Sequence, residues 1–469
     1  MALESRYDPD FYPGVWAADP SLPPGDPEAK SPPLVELYPE KDDYLVVAAE
    51  RYFDPDFMRR EWNGIWTRTW TCAGRVSDLA HPGSWFKYDL GLESFIVSRG
   101  ADGVIRAFYN VCQHRGRRLV TDEFGRGPSF VCGFHSWVYG SDGVNRRVTD
   151  REFFKPGALC GDLSLPQVRC EIWGGFVFIN MDRDAEPLLA FLGAMPDMLA
   201  MYRTVDMHIV KDVRIAMECN WKVACEAFLE PYHVHITHPA LLPAVDEVYN
   251  QYDFYPNGHG RLITPLGVPS PRERDRSGIN PGLAFMLREA GIDPETFTGN
   301  AMDVRAAIRD AKRKDDNPFG LDYSAFSDDQ LTDDWNPSIF PNLALNCFPE
   351  AVQVMRFLPH ATDPGKCWFD VWILVPDTRP GIRPPVNFGV EDDVDVSGTV
   401  RPKRRYTTQR SPDVGDVLAQ DIANMPQIQL GLMSRGLSSG VRLSEQEQRV
   451  QQFHAEIDRR LARAERNGP

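Results

Sequence analysis

Two short stretches each pair a cysteine with a histidine: Cys112-Gln113-His114-Arg115-Gly116 and Cys132-Gly133-Phe134-His135-Ser136-Trp137. Seventeen residues, 115 to 131, separate them. Cys-x-His and Cys-x-x-His are spacings at which one tight turn aims both side chains the same way. Two thiolates and two imidazoles can therefore meet at one point. That set suits a [2Fe–2S] cluster with histidines on one iron and cysteines on the other. A structural Cys2His2 zinc site uses the same ligands, but zinc fingers keep Cys with Cys and His with His. The mixed loops favour the cluster.

A second group begins at Asn220-Trp221-Lys222, continues Glu226-Ala227-Phe228-Leu229-Glu230-Pro231-Tyr232-His233 and ends Thr237-His238-Pro239. Glu230 and His233 are three apart, the spacing of one helix face. Pro231 and Pro239 predict a bent or interrupted helix that swings His238 back toward His233. Two histidines at this spacing are a weak signal alone. The first motif supplies context, because a cluster only moves electrons and needs a destination for them. Two imidazoles and a carboxylate on Fe(II) leave coordination positions open for O2.

With both motifs in order, the sequence resembles the large (α) subunits of the Rieske non-haem iron oxygenases. The likeness runs from about residue 43 to 437 and includes the lead-in from Trp85-Phe86-Lys87-Tyr88 to Phe108-Tyr109-Asn110-Val111. It departs at Ser136, where the family has Gly, and at Glu230, where most members have Asp. The resemblance implies that Cys112, His114, Cys132 and His135 hold one [2Fe–2S] cluster per subunit, and that His233 and His238 bind one Fe(II). It places the iron's carboxylate in an Asp-x-x-Asn setting, which Asp421-Ile422-Ala423-Asn424 fits, with Asp416 as the runner-up. Asn220 and Glu230 fall among the catalytic residues. Glu230 would bridge an iron-ligand His to a cluster His of the neighbouring subunit, which implies a homotrimer, or an α3β3 assembly with a small subunit. Electrons from NAD(P)H would arrive through a separate ferredoxin or flavin reductase.

The elements that must position these groups are legible in part. Helical spacing of Phe57, Met58, Trp62 and Trp66 predicts a helix from about Pro55. From Trp70 to Asp182 the texture is short strands with turns at Ala101-Asp102-Gly103 and Ser141-Asp142-Gly143. Ala351 to Leu358 and Cys367 to Val375 read as a hairpin, with Phe369, Val371, Ile373 and Val375 on one face. Met302 to Lys314 reads as a surface helix with Val304, Ala307 and Ile308 as its stripe. Residues 378 to 412 read as a long loop. Ser444 and Glu447 form a capping box for a last helix with Val450, Phe453, Ile457 and Leu461 inside. The expected fold is α+β. A small all-β Rieske domain (66–183) is inserted after an N-terminal arm and helix (1–65) that belong with the catalytic domain, and the resemblance implies that this catalytic domain, over 184–469, is a helix-grip fold with an antiparallel sheet.

The 469 residues carry a formal charge of −16, which argues against nucleic-acid or anionic-membrane partners. Arg115, Arg117, Arg118, Arg126, Arg146, Arg147 and Arg151 nevertheless crowd the cluster motif, either as a solvated surface or as a docking face for an acidic electron donor. Nine cysteines, an odd count, with neither a secretory leader nor a long apolar run, predict a reduced cytoplasmic chain. Phe228, Phe254, Tyr255, Phe285, Met286, Trp335, Phe340 and Phe348 could line an apolar pocket, with His235 beside the iron. The expected reaction is hydroxylation of an aromatic substrate. The alternative is monooxygenation with demethylation of a quaternary amine in an aromatic cage, and the non-enzyme alternative is a zinc-stabilised binding module.

Overall fold

The computed structural model describes residues 44–377, 383–385, 388–398 and 400–467. The expected arm before residue 44 and part of the 378–412 stretch lie outside these. The chain divides into two compact units, one of residues 55–196 with 358–364 and the C-terminal end from Arg460, the other of the remainder.

The first unit is β-rich. Its strands are β1 (Thr71–Arg75), β2 (Ser84–Leu90), β3 (Glu93–Arg99), β4 (Ile105–Tyr109), β5 (Phe124–Arg126), β6 (Ser129–Val131), β7 (Val138–Gly140), β8 (Asn145–Arg147), β9 (Gln167–Trp173) and β10 (Phe176–Asn180). They form an antiparallel sheet in the order β1-β10-β9-β4-β3-β2-β5 and a three-stranded sheet β6-β7-β8. In β2, Ser84, Phe86, Tyr88 and Leu90 point inward and alternate with half-buried residues, the period-two pattern of a strand. The turn before β4 closes because Gly103 takes φ 81° and Asp102 accepts the Val104 N–H at 3.1 Å. Residues up to Pro196 stay with this unit: Trp70 Nε1 donates to the Glu186 carbonyl at 2.9 Å, and Glu171 accepts the Leu188 N–H at 2.9 Å.

The second unit is built on β11 (His208–Met217), β12 (Gln251–Phe254), β13 (Gly260–Thr264), β14 (Asp334–Ile339), β15 (Leu343–Phe348), β16 (Ala351–Pro359), β17 (Cys367–Val375) and β18 (Arg405–Thr408). The order is β12-β13-β14-β15-β16-β17-β11-β18. β18, inside the expected long loop, pairs with β11 in parallel. Strand β17 is buried on both faces, not on one. Trp372 and Leu374 are as enclosed as Phe369 and Val371, and buried Asp370 accepts from both Arg214 and Arg356. That ion cluster is what lets a charge sit mid-strand.

The helices that bear on the site and its support are α1 (Trp221–Glu226), α2 (Val234–Thr237), α3 (Pro281–Glu289), α4 (Val304–Lys312), α5 (Asp416–Leu432) and α6 (Gln448–Asn467). The expected surface helix is α4, and it is not a simple surface helix. Val304 and Ile308 bury against Leu283 and Leu287 of α3, while Ala307 is only partly covered. Before α6, the Ser444 N–H donates to Glu447 Oε2 at 2.7 Å, completing the capping box. Phe453 of α6 packs edge-on against Trp221 and tilted against Phe340, and Val450 and Ile457 are buried beside it. Tyr255, Trp335 and Phe340 belong to this buried core, as does Phe254.

Candidate metal centres and substrate cavity

The two Cys/His loops lie at matching positions of the β-rich unit, after β4 and between β6 and β7. Each is closed by a backbone bond around a left-handed residue. The Gly116 N–H donates to the Cys112 carbonyl at 3.0 Å with φ 75°, and the Ser136 N–H donates to the Cys132 carbonyl at 2.9 Å with φ 57°. The His114 and His135 rings stand 4.5 Å apart, and Trp137 stacks on His114 at 5.1 Å. Their Nδ1 atoms are buried and have no hydrogen-bond partner among the described residues. Buried polar atoms are seldom left that way, so a fourfold ligand set accounts for them. Burial works to raise the Cys132 thiol pKa, yet the Phe134 and His135 N–H groups, Cys112 and Arg117 hold it below the usual value. Tyr139 Oη accepts the Gln113 N–H at 2.9 Å and lies 3.4 Å from Cys112 Sγ. A thiolate-favouring pocket with two unpartnered imidazole nitrogens fits a [2Fe–2S] cluster. The seven arginines around it are all exposed.

In the second unit, Pro231 has no N–H and disfavours a helical Glu230, so the chain breaks after α1 and restarts as the single turn α2. Of the expected bent or interrupted helix, the interrupted form is the one seen, in two pieces. Glu230 and His233 meet across the break: Glu230 Oε2 accepts the His233 N–H at 3.1 Å, and Oε1 lies 2.6 Å from His233 Nδ1. Helix α5 brings Asp421 in, with Oδ1 at 3.2 Å from His233 Nε2 and 2.7 Å from His238 Nε2. Its neighbour Gln420 places Oε1 2.7 Å from His238 Nδ1. Both imidazoles thus have Nδ1 fixed by an oxygen and Nε2 aimed at one carboxylate. Burial opposes charge on His233, but Asp421 and Glu230 raise its pKa to about 10. A pocket that draws in positive charge, with three candidate ligand atoms within 4.8 Å of one another, fits Fe(II) in a two-histidine, one-carboxylate site.

Asp416 is exposed in the first turn of α5, away from this group. Asn220 is no part of it either. Buried at the start of α1, it accepts the Lys222 N–H at 2.9 Å as an N-cap, and its own N–H donates to Gln429 Oε1 at 2.7 Å. His235 turns toward the Tyr232 carbonyl at 2.9 Å, and it does not line the cavity, because α2 points it the other way from its neighbours.

The cavity beside the triad holds about 410 Å3. Phe228, Phe285, Met286, Phe319, Phe348 and Phe388 give its apolar wall. Phe228 stacks on Phe357, which stacks on Phe369, so that wall is rigid. Asp334, Asn336, Asn346, Gln353 and Glu350 give part of its lining a polar character. Asp334 is half-buried, its Oδ1 has no partner among the described residues, and burial pushes its carboxyl up to about 7. Gln420 on helix α5 and these wall residues of the sheet escaped sequence reading, since isolated polar residues carry no spacing signal.

A cluster fold carried in one chain with a triad and cavity of this kind defines an iron-dependent oxygenase. Residues 69–153 match the Rieske [2Fe-2S] domain, and 204–463 match the ring hydroxylating alpha subunit (catalytic domain). The chain belongs to the ring-hydroxylating oxygenase α-subunit family. It is 33% identical, over 78% of its length and 81% of the relative's, to the large oxygenase component of a 2,4-dinitrotoluene dioxygenase system from Burkholderia sp. (strain RASC). It is 30% identical to the carnitine monooxygenase oxygenase subunit of Escherichia coli (strain K12), over 49% of this chain and 60% of that one. Among solved structures, a quaternary ammonium Rieske monooxygenase superposes over 88% of this chain and 95% of its own with TM-score 0.63 at 18% identity, and so shares the fold. No helix among the described residues is long and apolar enough to cross a membrane.

Proposed function

We propose that this oxygenase hydroxylates the ring of an aromatic substrate, with electrons from NAD(P)H delivered by a separate ferredoxin or flavin reductase. The observation that carries the substrate class is the cavity wall: among the described residues its aromatic side chains, the triad's histidines aside, are all Phe, with no Trp or Tyr. Flat apolar rings pack well there. A cage for a quaternary amine draws on Trp and Tyr, the better cation–π partners, which weighs against the demethylase reading. The dioxygenase named for dinitrotoluene points the same way.

In this reading Cys112, His114, Cys132 and His135 hold the cluster, and His233, His238 and Asp421 hold the iron. When bound, the cluster supplies single electrons and Fe(II) supplies open positions for O2. The chain's own contribution is positional. Glu230 and Gln420 accept the Nδ1–H of each histidine, which sets the tautomer and aims both Nε2 lone pairs at the metal position. Phe228, Phe348 and Phe388 keep water from the ring. Glu230 also relays between the iron site and the cluster of a neighbouring copy, which requires a homotrimer or an α3β3 assembly. The odd count of nine cysteines suits a reducing compartment such as the cytoplasm.

The test is turnover with a surrogate reductase, NAD(P)H and labelled O2, offering fused aromatic compounds and quaternary amines in parallel. Ring-hydroxylated products are expected. Formaldehyde release from the amines, with the aromatics untouched, would replace this reading with the demethylase.

A further inference from the structure

Strands β13 to β16 run side by side, and their register sets Leu262, Asn336, Asn346 and Gln353 in one row. Leu262 faces Asn336, and Asn346 faces Gln353. Trp335 with Cys347 and Ser338 with Ala344 bracket the Asn336–Asn346 step. All four line the cavity. Asn336 Nδ2 donates to Asn346 Oδ1 at 2.6 Å, and Asn346 Nδ2 donates to Gln353 Oε1 at 2.9 Å. Behind the row, buried Arg449 of α6 donates from Nη1 to Asn336 Oδ1 at 2.8 Å.

A side-chain amide can turn its oxygen and nitrogen end for end, so a chain of amides has no direction of its own. Arginine removes that freedom, because it has donors and no acceptor. Asn336 must show Arg449 its oxygen, hence Asn346 its nitrogen. Asn346 must then show Gln353 its nitrogen, and Gln353 accepts with its oxygen. The Nε2 of Gln353 is left over, and it has no partner among the described residues.

We propose that Gln353 is a specificity-determining residue whose N–H groups bind an acceptor oxygen on the substrate, and that Arg449 is the positioning residue that sets their polarity. The oxygen belongs to a neutral group such as a carbonyl. Glu289 and Glu350 stand on the cavity wall against Lys312, which is itself paired to Glu350 at 2.8 Å, and Asp334 adds no positive charge, so a carboxylate would meet net negative charge. The substrate class is therefore an aromatic ring bearing a neutral carbonyl-type oxygen. This rests on the ring-hydroxylation reading.

The experiment is calorimetric binding to the metal-loaded enzyme of three compounds of one shape: indane, 1-indanone and protonated 1-aminoindane. Wild type is expected to bind the ketone about tenfold more tightly than the hydrocarbon, the worth of one good hydrogen bond. Gln353→Leu should bring that ratio near one with indane binding retained. Gln353→Glu keeps the acceptor that Asn346 needs and withdraws the donors, so it should also lose the ketone preference, even if the Leu variant fails to fold. Arg449→Lys, still a pure donor, should keep the ratio, and Arg449→Gln should lower it, which a merely structural role would not predict. Equal or absent binding of ketone and hydrocarbon by wild type, tighter binding of the ammonium compound, or an unchanged ratio in both Gln353 variants would overturn the proposal. Products are read separately. A ketone preference without ring hydroxylation would leave the acceptor subsite standing and remove the reaction assigned to it.

Discussion

At the scale of single residues, the two centres make separable demands. His233→Ala and Asp421→Ala should each lose the mononuclear iron and all turnover while keeping the visible spectrum of the cluster, because no ligand is shared. Full activity in Asp421→Ala would send the carboxylate role elsewhere. Ser136 offers a smaller test. It sits at φ 57°, where a side chain costs about 1–2 kcal/mol and glycine does not. Ser136→Gly should raise stability by about 1 kcal/mol or less, after the extra freedom of the unfolded glycine is subtracted, and melting curves would show it. Asp334 tests burial. Its folded pKa of about 7 exceeds the ordinary 3.8, so the folded chain holds a proton that the unfolded chain has released. Its contribution to stability accordingly falls as pH rises from about 4 to 7. Asp334→Asn should stabilise the protein at pH 8 more than at pH 5, by on the order of 1 kcal/mol. Equal gains at the two pH values would contradict the assigned burial.

At the scale of elements, α5 has to deliver Asp421 and is fixed at its far end by Gln429. That side chain accepts the Asn220 N–H at 2.7 Å and donates to the Tyr52 carbonyl at 3.2 Å. Gln429→Ala leaves two buried groups unpaired, at about 1–3 kcal/mol. It should also weaken iron binding about tenfold, since the carboxylate's support loosens. Metal titration of the variant reads the second effect, and unchanged affinity would show that α5 holds its line without the anchor. Much of this site was legible in the sequence because metal ligands are rare residue types at short spacings: Cys112 with His114, His233 with His238. Asp421 was reached only through family likeness, being 183 positions from its histidine partner. The break at Pro231 was foreseen, but the contact Glu230 makes across it was credited to a helix that does not form. Asn220 was read as catalytic, and the structure shows it as a helix cap; the two roles look alike in a string. Helix α4 looked like a surface helix since Arg305, Arg309 and Lys312 are charged, although tertiary ion pairs bury them.

At the scale of the whole molecule, the Glu230 relay predicts that electron transfer depends on assembly. Glu230→Gln should keep both metals yet oxidise a reduced cluster far more slowly in stopped flow with substrate and O2. An unchanged rate, or an active monomer, would remove the relay. The exposed arginines around the cluster loops sit on a chain of net charge −16, so docking of an acidic donor should slow as salt screens the patch. One further feature governs how such a protein can be made. Val46 pairs with Arg442, Arg51 holds Asp458 from 407 positions away, and Tyr52 Oη lies 3.0 Å from His454 Nε2. The unit that carries the triad is therefore laced shut by the two sequence-distant ends of the described chain. During synthesis its early segment has to wait, unpartnered, until nearly everything else has left the ribosome, while the Cys/His loops are complete long before. Slow translation at low temperature, with iron and sulfide supplied early, suits a nascent chain that finishes one metal pocket first and the other last.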